Sequence, residues 1–145
     1  MSLRPRYSLL ALLIFTAFVA GGVKLWRGPH HVVDRSNPQM EDEYTYYRDW
    51  DGTKIVDGVR VRNYIDDGKT LFVSIDLYRR GELLEDGHCI VSASDEYAAN
   101  GRIFRGTNLE ALTATEKELL DVEIQRATEL IRSQGGQPKV NYGYW

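Results

Sequence analysis

The chain has 145 residues, with 18 Lys and Arg against 21 Asp and Glu and a single cysteine, Cys89. That length leaves room for one small domain beyond an N-terminal targeting segment, and one cysteine excludes an intrachain disulfide. The first 27 residues carry Arg4, Arg6, Lys24 and Arg27 and no acid, whereas the remainder carries 14 basic and 21 acidic residues, a net of −7; such a body repels phosphate backbones, so nucleic acid is set aside as a partner.

The first element is an apolar run. From Tyr7 to Val23 there are 17 residues with no ionisable group other than the Tyr7 phenol, and the run reaches Trp26 if Lys24 is included. At about 1.5 Å rise per residue, about 20 residues cross a hydrocarbon core of roughly 30 Å. Lys24 can snorkel to the headgroups, and Tyr7 and Trp26 stand where interfacial aromatics belong. Residues 1–26 therefore read as a single-pass transmembrane anchor. Arg4, Arg6 and the α-amino group on a short head keep the N-terminus cytoplasmic and make the C-terminal domain extracytoplasmic. The alternative is a signal peptide, because Leu9 to Ala20 also makes an h-region and small residues follow at Gly21 and Gly22. Cleavage there would release a soluble exported module.

Residues 27–42 read as a linker: Gly28-Pro29 and Asn37-Pro38 break it, and Val32, Val33 and Met40 are its few apolar residues. Val32-Val33 offers at most a short edge strand. The remainder, 43–145, is expected to fold as the domain. From Tyr44 the period changes to two, most cleanly at Leu71, Val73, Ile75 and Leu77. β-Branched and aromatic residues at alternate positions suit half-buried strands. Asp51-Gly52, Asp57-Gly58, Asp67-Gly68, Arg80-Gly81 and Asp86-Gly87 lie between the runs, and Asp-Gly favours tight hairpin turns. The expected strands are 44–50, 54–65 broken at Asp57-Gly58, 69–79, 82–85 and 88–93. Asp95 to Asn100 reads as a helical turn or a loop, and Arg102 to Phe104 as a further short strand.

The last strong signal is helical. Thr113 and Glu116, or Thr115 and Glu118, have capping-box spacing, and Leu120, Ile124, Ala127 and Ile131 then recur at four, three and four residues. Leu119 and Leu130 broaden that stripe, and Gly135-Gly136 and Pro138 stop a helix over 113–134. The tail, Val140 to Trp145, either pairs as an edge strand or lies free. The fold class is thus α+β: an N-terminal transmembrane helix, then a small antiparallel β-meander packed against one C-terminal amphipathic helix.

Three segments share a theme: Tyr47 to Gly52, Tyr64 to Gly68 and Tyr78 to Leu83, in each of which an aromatic leads into a glycine turn. Over residues 44–84 this resembles MORN-type repeats, in particular the bacterial MORN variants of small hairpin-repeat proteins. The resemblance implies a β-hairpin ladder acting as a structural or interaction surface, with no catalytic residues to carry over.

Candidate chemistry is sparse. Asp49-x-Asp51-Gly52 with Asp57 has the look of an opening calcium loop, but the bidentate Glu would fall on Arg60 and a hairpin turn explains the same acids. His88-Cys89 is the one place where a base adjoins a nucleophile, yet neighbours on a strand point to opposite faces, so Cys89 reads as a small buried hydrophobe. An intermolecular disulfide through Cys89 is the outlying use. His30 and His31 lie in the linker, and Asp66-Asp67 and Asp95-Glu96 read as solvated loop acids. No catalytic, cofactor-binding or metal-binding residue is assigned. The expectation is a membrane-anchored, non-catalytic binding or scaffolding protein whose partner is another protein. Its rivals are the exported module and a small enzyme using His88, Cys89 and carboxylates.

Overall fold

A computed structural model describes residues 9–94 and 108–142. The expectations for Asp95 to Asn100, Arg102 to Phe104 and Asp95-Glu96, together with Arg4, Arg6, Tyr7 and the last three residues of the tail, lie outside the described residues. Within them the fold is α+β: an N-terminal apolar helix, a six-stranded antiparallel meander and one C-terminal helix.

Helix α1 spans Leu9–Arg27, and none of its residues is buried. The strands follow as β1 (His30–Asn37), β2 (Met40–Arg48), β3 (Lys54–Asp66), β4 (Lys69–Arg79) and β5 (Glu82–Ser92). The chain then passes through a 3₁₀ turn at Leu109–Ala111 and helix α2 (Ala114–Ser133), and returns as β6 (Lys139–Tyr142) beside β5. The tail thus takes the edge-strand option, with Val140 opposite Val91 and Tyr142 opposite Cys89.

The linker reading of 27–42 is overturned. His30–Asn37 is a strand, pairing His30 with Tyr46 and Val32 with Tyr44, and β2 begins at Met40. An edge strand needs one partner's backbone ladder more than it needs an apolar face, so β1 forms with most of its side chains exposed. Asn37 and Pro38 close its turn, where the Gln39 amide donates to Asn37 Oδ1 at 3.0 Å.

Two other breaks disappear. At Asp67-Gly68 and Arg80-Gly81 both residues have positive φ, as a two-residue type I′ hairpin requires. Asp57-Gly58 and Asp86-Gly87 instead lie inside β3 and β5, at places where the pairing register shifts. The β3 irregularity has a use: Asp57 Oδ1 accepts from the Arg80 amide at 2.9 Å and the Val56 carbonyl from Gly81 at 2.9 Å, fastening the β4–β5 turn.

Alternation sends Val73, Ile75 and Leu77 of β4, and Cys89 and Val91 of β5, to one face, where they form a core with Leu112, Leu120, Ile124, Ala127 and Ile131. The four-three-four stripe is the buried set of α2, whereas Leu119 and Leu130 stay exposed, so the stripe is narrower than the sequence suggests. Of the two capping boxes the first forms: the Glu116 amide donates to Thr113 Oγ1 at 3.2 Å and the Thr113 amide to Glu116 Oε2 at 2.8 Å. The helix ends in a Schellman motif, the amides of Gly136 and Gly135 donating to the carbonyls of Ile131 and Arg132. Both ends are tied to β4, Glu116 by a two-pronged pair with Arg79 and Gln134 by accepting from the Thr70 amide at 2.7 Å.

Candidate functional site

Two places concentrate interactions that the packing of α2 does not explain. The first is the junction between α1 and the sheet. The Gly28 amide donates to the Lys24 carbonyl at 3.1 Å, ending the helix, and His30 Nε2 donates to the Trp26 carbonyl at 2.9 Å. The His30 ring then stacks on Tyr46 with centroids 5.0 Å apart. Gly28 has φ +98°, and a Cβ there would stand 2.8 Å from the His30 ring and 3.1 Å from the Tyr46 carbonyl, so only glycine fits without a shift. Arg27 finishes the joint: Nε donates to the Arg48 carbonyl at 3.3 Å and its guanidinium lies 4.6 Å from the Trp50 ring centroid. Where the sequence suggests a free tether, α1 is bonded directly to the end of β2. Ala20, Val23, Lys24, Arg27, Gly28 and Tyr47 line a cleft of about 500 Å³ between the two.

The second place is the sheet face turned away from α2. Asp76, in mid-β4 and 1% exposed, accepts from His88 Nδ1 at 2.5 Å on one oxygen and from Arg62 Nη2 on the other. Burial pushes the Asp76 carboxyl up, but the bonds from His88 and Arg62 outweigh it and hold the group below the ordinary carboxylate range. One strand further, Arg60 clasps Asp42 through Nε at 3.0 Å and Nη2 at 2.6 Å, and lies over the Tyr44 ring. These pairs form a charged brace across β2, β3, β4 and β5, each joining residues on neighbouring strands.

The structure separates what the sequence sets side by side. His88 faces this brace, whereas Cys89 is 0% exposed in the α2-facing core, and burial pushes its thiol up to about 12. A thiol so far from ionisation is a poor nucleophile and a poor disulfide partner. The acids of the calcium-like segment serve the backbone: Asp49 Oδ1 accepts from Trp50, Asp51 Oδ1 from Thr53 and Asp57 Oδ1 from Arg80. Asp66 ends β3 and Asp67 is the first residue of the β3–β4 turn, with φ +47°. His31 pairs with Glu43 at 3.3 Å on the exposed edge. Among the described residues no three His, Cys, Asp or Glu side chains converge as a metal site would require.

Sequence reasoning missed Arg27 with Trp50, and Arg62 with Asp76. A faint signal existed for the latter: a lone Asp in the centre of the cleanest strand falls on the face opposite Val73, Ile75 and Leu77. Comparison with protein-family models, with curated proteins and with solved structures finds no match for the chain.

Proposed function

We propose that this chain is a single-pass membrane protein whose extracytoplasmic α+β domain is a non-catalytic binding or scaffolding module held at the membrane surface. One observation carries the reading: Leu9–Arg27 is long and apolar enough to cross a membrane, and no residue of it is buried although the domain beside it has a complete core. A helix with apolar residues all round is stable in water only when protein covers it, so lipid is the solvent that suits α1. Arg4 and Arg6 before the run favour a cytoplasmic N-terminus. The hairpin ladder that resembles MORN-type repeats supplies the surface for a protein partner.

Alkaline carbonate extraction of native membranes, followed by intact mass, tests this. The expected result is a chain that resists extraction and retains Leu9 to Arg27. A soluble chain beginning near Gly22 or Val23 would contradict it and leave an exported module instead.

A further inference from the structure

The junction carries a consequence for where the domain sits. We propose that the β2–β3 turn, with the ends of β2 and β3 beside it, is a binding surface for anionic phospholipid headgroups that seats the domain directly on the bilayer. This rests on α1 being a membrane span.

The geometry leaves little choice of height. Tyr47 lines the same cleft as Ala20, Val23, Lys24 and Arg27, and Ala20 lies seven residues, about 10 Å of helix, before Arg27. The sheet therefore runs alongside the last two turns of α1 instead of standing beyond them. If Lys24 and Arg27 mark the headgroup level, Tyr47 lies at that level or deeper. Trp50 is held there as well, because its ring lies under the Arg27 guanidinium.

The exposed residues at this end suit such a place. Trp50 is 69% exposed, and Tyr47 and Trp26 are 39% exposed each. Exposed Trp and Tyr rings beside an apolar helix have the apolar body and wet tip that the membrane interface selects. Lys24 and Arg27 border the same cleft as Tyr47, and Arg48 and Lys54, paired across β2 and β3, lie over the neighbouring Tyr46 ring. Two acids, Asp49 and Asp51, stand among these four basic residues and accept from the Trp50 and Thr53 amides. A basic, aromatic end on a body of net charge −7 is complementary to the phosphates of anionic lipid headgroups.

The test uses the full chain, labelled with fluorotryptophan and reconstituted into vesicles of phosphatidylcholine alone or mixed with phosphatidylglycerol, each carrying a paramagnetic headgroup lipid. Substituting each Trp by Phe in turn assigns the fluorine resonances. The expected result is that Trp50 broadens as strongly as Trp26, and about two-fold more in the anionic mixture. Arg48→Glu with Lys54→Glu should abolish the anionic excess while α1 still resists carbonate extraction. Retention in the membrane with a sharp Trp50 resonance would overturn the seating and leave the anchor standing. Equal broadening in the two mixtures would overturn the anionic preference, and loss of the chain to carbonate would overturn anchor and seating together.

Discussion

The two helices have nearly the same length, 19 and 20 residues, and opposite construction. Helix α2 buries Leu120, Ile124, Ala127 and Ile131 and turns its charges outward; α1 buries nothing, carries Lys24 and Arg27 only in its last turn, and has no cap of acidic residues at its start. A narrow apolar stripe is enough when a sheet covers it, whereas apolar residues all round imply a surrounding medium that is itself apolar. The difference lies in their solvents. Helix α2 is solvated by the sheet, and the solvent we propose for α1 is lipid.

The comparison predicts asymmetric mutational effects. In denaturant titrations of the full chain in detergent, Leu120→Ala should remove about 2–5 kcal/mol through transfer and cavity terms. Leu13→Ala should change the same transition by less than about 0.5 kcal/mol, since Leu13 is exposed and touches no core. Equal losses would break the contrast. Next in size is Asp76→Ala, which strands the Arg62 guanidinium beside a buried His88 and should cost about 3 kcal/mol. Gly68→Val and Gly81→Val should each cost more than about 1 kcal/mol, because both residues sit at positive φ in hairpin turns.

Smaller effects sharpen the picture at the start of α2. Thr113→Ala should cost about 1 kcal/mol by removing the cap. The Arg79 bond holds the Glu116 carboxyl down at about 2, against an ordinary value of 4.5. Its folded pKa is depressed, so the stability it contributes is present above 4.5 and fades as pH falls toward 2. Stability measured from pH 6 down to about 2.5 should therefore fall less steeply in Glu116→Gln than in the parent, by a small margin because the pair is near the surface.

What was legible in the sequence was periodic and local. The alternation at Leu71 to Leu77 and the spacing from Leu120 to Ile131 each report one element's own exposure to one core, so β4 and α2 could be read almost to the residue. The Asp-Gly pairs were ambiguous because a hairpin and a strand irregularity ask the same pair for similar backbone freedom; only the partner strand decides, as it does at Asp57-Gly58. Strand β1 showed in the sequence only as the short edge-strand option at Val32-Val33, because His30–Asn37 is held by its backbone ladder to β2, which leaves little apolar pattern. The charged brace was invisible for a related reason. Arg62, Asp76 and His88 meet only after three strands have been set in register, and the joint of Arg27 with Trp50 needs the β2–β3 turn folded back to the end of α1.

The contrast between the helices is tested most directly by hydrogen exchange on the full chain in phospholipid vesicles, read segment by segment. Amides from Leu9 to Val23 should exchange at least as slowly as those of Leu120 to Ile131, although no protein covers them. Exchange of the first segment within seconds to minutes, with α2 still protected, would mean that α1 lies in water, and would contradict the claim that this chain is built around a membrane span.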